Sequence, residues 1–134
     1  MYVNGKCHCG QISFEAEIDP NKVNICHCTD CQTMSGAPYR VTVPSLENTF
    51  KLTSGRPSTY LKVAASGAKR VQGFCPNCGT AVYATTELNQ KIFGIRLGTL
   101  AQKLELAPSK RIWASSSLSW CENLTKLPAC PGQP

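Results

Sequence analysis

Three short stretches of this 134-residue chain carry the side chains best suited to chemistry: "CHC" at 7–9, "CHCTDC" at 26–31 and "CPNC" at 75–78. They hold seven of the nine cysteines. Near neighbours of this kind make poor disulfide partners but good chelates, because one short loop delivers two sulfurs to a single ion. Zinc takes four protein ligands in a closed structural site, and three plus an exchangeable ligand in a catalytic one. Seven clustered cysteines divide as four plus three. The pairs Cys7/Cys9 and Cys75/Cys78 would close one site, with Pro76 and Gly79 turning the chain so that both sulfurs of the second pair meet the ion. Cys26, Cys28 and Cys31 would form a second site whose fourth position is open. The expected cofactor is two Zn²⁺ per chain.

A three-thiolate site with a vacancy suits one more thiolate, which the ion would hold deprotonated and oriented. Water is the alternative occupant, but three donating sulfurs make zinc a weak Lewis acid, which favours thiol chemistry over hydrolysis. His8 and His27 each sit between two cysteines, and either could complete a ligand set. In an extended CxC, however, the middle side chain points away from its neighbours. Cys121 and Cys130 lack chelating spacing and read as a small buried residue and an unpaired tail thiol. Joining residue 9 to residue 75 costs about 3–4 kcal/mol of chain entropy. Structural zinc supplies about 10–16 kcal/mol in small peptides, so the metal can carry that closure, and metal-free protein should be badly destabilised.

The elements that must position these ligands are mostly strands. In "QISFEAEI", Ile12, Phe14, Ala16 and Ile18 alternate with polar residues, the period of a half-buried strand. Further strands are expected in "YRVTVP", "TFKLT", "STYLKV", "KRVQGF", "TAVYAT", "QKIFGIRLG" and "KRIWASS", separated by turn signals such as Asp19-Pro20-Asn21, Ser54-Gly55 and Ser66-Gly67. Gly94 interrupts a strand pattern, as a bulge would. The segment "TDCQTMSG" is expected to be a short helix, with Thr29 capping it, Gly36 ending it and Cys31 in its first turn. Backbone N–H groups there favour a thiolate. The result is a mainly antiparallel β domain spanning 1–134, with residues 127–134 as a loose Pro- and Gly-rich tail.

Composition narrows the function classes. Apolar residues make up 42% and charged residues 16%, as expected of a folded chain rather than a disordered one. The opening "MYVNGKCHCG" has no apolar signal core and no run is long enough for a membrane span, so a cytoplasmic protein is expected, in which clustered cysteines are metal ligands rather than a disulfide scaffold. The formal charge is +6, but Lys and Arg are scattered and no basic run is interleaved with aromatics. That pattern indicates no dedicated nucleic-acid surface, and most of these charges read as solvated. A mild positive field would still attract small anions.

The stretches "GKCHCGQISFEAEI", "NICHCTDCQTMSGAP", "GFCPNCGTAVYA", "GTL" at 98–100 and "SSLSWCENLTKLP" run in order over nearly the whole chain. In them the protein resembles the glutathione-dependent formaldehyde-activating enzymes and their relatives with the same zinc domain. The resemblance implies an Mss4-like fold of several coiled antiparallel sheets pinned by zinc, with one or two short helices. It also implies Cys7, Cys9, Cys75 and Cys78 as the structural zinc site and Cys26, Cys28 and Cys31 as the catalytic one. The activity implied is carbon–sulfur lyase chemistry, the condensation of formaldehyde with glutathione to S-hydroxymethylglutathione. The partners are then a small thiol and an aldehyde. A thiol carrier without turnover, or a zinc-stabilised interaction module, is the competing reading. Four positions depart from the family pattern: Gln32 and Thr33 stand where many relatives have basic residues, Ala101 follows "GTL" where an aspartate is common, and Arg111 stands where a histidine is common. These bear on the substrate pocket rather than on the metal ligands.

Overall fold

In the computed structural model, which describes residues 1–134, the chain forms ten strands. They are β1 (Tyr2–Lys6), β2 (Ser13–Glu17), β3 (Asn24–Cys26), β4 (Arg40–Pro44), β5 (Lys51–Ser54), β6 (Ser58–Val63), β7 (Lys69–Phe74), β8 (Ala81–Thr86), β9 (Gly94–Arg96) and β10 (Lys110–Ile112). One α-helix, α1 (Thr29–Ser35), and five short 3₁₀ segments complete the chain. The strands make two sheets, β1-β2-β5 and β10-β3-β4-β9-β8-β7-β6. Every pairing is antiparallel except β10 with β3, which is parallel.

The alternation read in "QISFEAEI" is realised directly. Ile12, Phe14, Ala16 and Ile18 are all buried, while the residues between them face outward. They meet Val3 from β1 and Val43, Val82 and Ile95 from the larger sheet in one core. Aromatic rings tie that core together: Phe50 stacks on Phe14 and on Phe93, with centroids 5.2 and 4.3 Å apart, and Tyr83 meets Phe93 edge-on at 5.0 Å. Such offset and edge-on pairs add about 0.5–1.5 kcal/mol each beyond the area they bury.

Several local expectations are corrected. The strand expected across "QKIFGIRLG" is only Gly94–Arg96, and Gly94 pairs in register with both neighbours instead of forming a bulge. The register shifts fall at Ser13/Phe14 and at Gly73/Phe74. Helix α1 is capped by the Cys28 sulfur, which accepts from the Cys31 N–H at 3.3 Å, rather than by Thr29. Gly36 does end the helix, in the left-handed conformation expected of it. Residues 127–134 are all exposed and carry neither helix nor strand.

Gly73 is constrained by close approach. A methyl group at that position would lie inside the Tyr83 ring on the neighbouring strand. Gly73→Ala should therefore force Tyr83 out of its packing with Phe50 and Phe93 and destabilise the fold by about 1–3 kcal/mol, the range for overpacked cores. Thermal unfolding checks this, and an unchanged midpoint would mean that the ring can move without cost.

Candidate metal centres

The four-cysteine group is built by two chain reversals of the same length. In the first, the Cys7 N–H bonds to the Ile12 carbonyl at 3.0 Å and Gly10 takes a positive φ of 82°. In the second, the Cys75 N–H bonds to the Thr80 carbonyl at 2.9 Å and Gly79 takes φ 76°. Each reversal presents two sulfurs, and the sulfurs of Cys7, Cys9, Cys75 and Cys78 all lie within 4.8 Å of one another. The separations Cys7–Cys9 and Cys9–Cys75 are 3.6 and 3.7 Å. A tetrahedron with metal–sulfur bonds of about 2.3 Å has sulfur–sulfur edges of about 3.8 Å, so the cage fits a tetrahedral thiophilic ion. Backbone and hydroxyl donors support the sulfurs: the Ile12 N–H reaches Cys7 Sγ at 3.3 Å, and Thr80 Oγ1 lies 3.2 Å from Cys78 Sγ. The Thr80 hydroxyl, followed by backbone N–H groups, holds the Cys78 thiol at about 5.

The second group collects Cys26, Cys28 and Cys31, again with all sulfurs within 4.8 Å. Cys26 ends β3, Cys28 caps α1 and Cys31 lies in its first turn. Neither His8 nor His27 belongs to either group. His27 is instead buried, with its ring edge-on to Tyr39 at 5.5 Å and neither ring nitrogen hydrogen-bonded. Burial, reinforced by Cys28 and Cys26, pushes the Cys31 thiol up to about 12, with Arg40 pulling the other way. Burial works against ionisation of Cys28 too, but the Cys31 N–H, the neighbouring thiols and Lys62 hold it below the ordinary thiol value.

Gln32 does not replace a basic residue in a pocket. Its amide donates to the carbonyl oxygens of His27 at 2.9 Å and Ser116 at 3.0 Å, stapling the triple's loop to the C-terminal segment. Arg111 pairs with Glu122 at 3.1 Å near the surface.

The positive charge near the triple comes from the sheet. In β4, Arg40 is paired with Cys26 of β3, and Thr42, two residues on, is paired with Arg96 of β9. Side chains two apart on a strand share a face, so Cys26, Arg40 and Arg96 line the same side of the sheet. Gln72 of β7 joins them, its Oε1 accepting from Arg40 at 3.3 Å and from Arg96 at 2.7 Å. Lys62 of β6 holds Asp30 of α1 at 3.0 Å, which fixes the helix over this face. Arg40 is 7% exposed, an exception to the solvated reading expected of most of these charges. Burial first, then the like charge of Arg40, lowers Arg96 to about 9, while Cys31 and Cys26 favour its charged form. A cavity of about 420 Å³ is lined by Met34, Tyr39, Arg40, Thr80, Arg96 and Gly98, among others, and by no acid. A larger one of about 1060 Å³ shares Thr80, Ala81, Arg96 and Gly98 with it and adds Lys6, His8 and Lys103 together with the acid Glu15.

The profile of the family described as glutathione-dependent formaldehyde-activating enzyme matches residues 2–116. The chain belongs to this family. It is 32% identical over 80 residues to an uncharacterized lyase of Schizosaccharomyces pombe, a match covering 59% of this chain and 54% of that protein. The aligned part thus spans about half the length of that curated relative. A Rhodobacter sphaeroides protein of known crystal structure superimposes with a TM-score of 0.62 at 18% identity, covering 81% of this chain and 98% of that one, a likeness of fold.

Within the family frame, seven cysteines fall into two groups that could hold metal, in the four-plus-three division expected from their spacing. The residues that sequence reasoning missed are Arg40, Gln72 and Arg96. Each lies on a different strand, and no local motif marks them. No helix is long and apolar enough to cross a membrane.

Proposed function

We propose that the protein is a zinc-dependent lyase-type enzyme that joins a small thiol, glutathione in the first instance, to an aldehyde such as formaldehyde. The observation that carries this reading is the grouping of three cysteine sulfurs with no fourth His, Cys, Asp or Glu among them. On this reading Cys7, Cys9, Cys75 and Cys78 hold a structural zinc, and Cys26, Cys28 and Cys31 hold the catalytic one. Zinc bound by the triple supplies a fourth position suited to a thiolate sulfur.

The chain's own residues then do the rest. Arg40 and Arg96 place positive charge beside three thiolates, which eases the arrival of a further anion. Gln32 ties the loop of the triple to the C-terminal segment, and the Lys62–Asp30 pair ties the helix that carries Cys31 to the sheet. The acid-free cavity beside Arg40 and Arg96 takes the body of the thiol. In the reaction the sulfur forms a bond to the carbonyl carbon, the carbon–oxygen π bond breaks, and the oxygen takes up a proton to give the hydroxyalkyl thioether. The proton lost from the thiol balances the one gained.

Following adduct formation against the uncatalysed background tests the proposal. Metal-loaded protein should accelerate it in proportion to enzyme concentration. Saturable thiol binding without acceleration would make the protein a carrier instead. A second expectation concerns metal removal. The triple offers three half-buried sulfurs and no fourth ligand, whereas the group of four can close its own tetrahedron, with Cys7 and Cys75 buried, Cys78 half-buried and Cys9 exposed. A mild chelator should therefore strip one of two zinc ions while the circular dichroism spectrum is kept, and only a stronger one should remove the second and unfold the protein. Metal analysis alongside the spectra reads this, and simultaneous loss of both ions would contradict it.

A further inference from the structure

Two guanidinium groups with no acid beside them, Arg40 buried and Arg96 half-buried, need an explanation. The chain's three ion pairs are Lys62–Asp30, Lys69–Glu87 and Arg111–Glu122, so no carboxylate lies within ion-pair distance of Arg40 or Arg96. A neutral amide oxygen, that of Gln72, is what the two cations share. Of the five N–H donors of a guanidinium, Arg96 uses one toward Thr42 and one toward Gln72, and its buried Nε has no partner. Holding like charges together in this way is costly unless anions join them, and the neighbouring triple of thiolates, with a Zn²⁺ bound, would supply only a single net negative charge. Both side chains also line the 420 Å³ cavity, so an anion can reach them.

The position of the pair says which anion. Arg40 is directly cross-strand from Cys26, and such neighbours have Cβ atoms about 4.5–5.5 Å apart. A ligand whose sulfur sits at the triple would therefore carry its acidic group toward the two arginines. We propose that Arg40 and Arg96, bridged by Gln72, are the seat for a carboxylate of the thiol ligand, so that the site selects acidic thiols over neutral ones. This rests on the reading of the triple as a thiol site. A planar carboxylate matches the fork of a guanidinium.

Isothermal titration of the zinc-loaded protein with two matched pairs tests it: 3-mercaptopropionate against 3-mercaptopropionamide, and glutathione against its glycine amide. The carboxylate should bind at least about tenfold more tightly in one pair or both, the scale of a charged hydrogen bond. Arg96→Gln should weaken the carboxylate of each pair at least about tenfold more than its amide, and so erase the preference. Arg96→Lys, which keeps the charge without the fork, should restore part of it. Equal binding of acid and amide in both pairs by the unaltered protein would overturn the seat and leave the thiol site standing. Equal weakening of acid and amide by Arg96→Gln would also overturn it, assigning the arginines to charge balance of the cysteine cluster. Failure of every thiol to bind would remove the thiol site itself, and the seat with it.

Discussion

Cys75→Ser should abolish the folded state at physiological temperature. Cys75 is fully buried, and its sulfur lies 3.7 Å from that of Cys9 across 66 residues of chain. The cluster it completes joins the reversal before β2 to the reversal between β7 and β8, and so fastens the small sheet to the large one. Closing a loop of that length costs about 3–4 kcal/mol, and a structural zinc returns about 10–16 kcal/mol. Domains of this kind are stable by only about 5–15 kcal/mol. Loss of the metal therefore removes as much free energy as the whole fold possesses. Serine is a poor replacement, because its neutral hydroxyl is a hard and weakly acidic ligand for a thiophilic ion. Circular dichroism, thermal unfolding and metal content read the outcome together. Cys121→Ser and Cys130→Ser, which lie outside both groups, serve as controls and should leave the midpoint unchanged. A cooperative transition near the wild-type midpoint in Cys75→Ser would show that the two sheets hold together without the cluster.

Cys28→Ser should do the opposite, sparing the fold and removing the activity. Cys28 is half-buried and lies at the N-cap of α1, where its sulfur accepts from the Cys31 N–H. Serine is among the preferred residues at that position, so the helix keeps its cap. The aromatic core lies among other residues and is untouched. What is lost is one of three sulfurs, and the remaining two would not retain an ion that three could hold. Substitutions that merely orient a metal ligand cost about 10–100-fold in affinity or activity, so loss of the ligand itself should cost about 100-fold or more in adduct formation. The protein should contain one metal fewer per chain and unfold within a few degrees of the wild type. Full activity in Cys28→Ser would show that the triple is not where the thiol reacts. A collapse of the midpoint would make it a second structural centre.

The two cysteine groups that could hold metal were legible in the sequence because chelation is local. Two sulfurs one or two residues apart can meet one ion with only a turn between them, so "CHC" and "CPNC" declare themselves. The inner strand of the small sheet was legible for a similar reason, since its alternation records which face is buried. Strand β1 was not: "YVNGK" contains Asn4 and Gly5, and Gly5 is there because Phe14 and the Thr99 carbonyl occupy the space of a side chain. Strand β3 is three residues long and shows no period. The Cys28 cap was overlooked because a thiol is a weaker acceptor than the hydroxyl of Thr29 beside it, and only the geometry of the loop decides between them.

The chain alone thus determined which atoms could bind metal, how they divide into a group of four and a group of three, and that strands would carry them. The tertiary structure decided what surrounds the open group. Arg40 and Gln72 are 32 residues apart, and Gln72 and Arg96 are 24 apart, with no pattern linking them. They meet because β3, β4 and β9 pair in one register, which sets Arg40 against Cys26 and Arg96 against Thr42. A slip of one residue in that register would turn each side chain to the other face. Positive charge beside the triple comes from the sheet, through Arg40 and Arg96. Gln32, at the position that looked deficient, holds the loop in place.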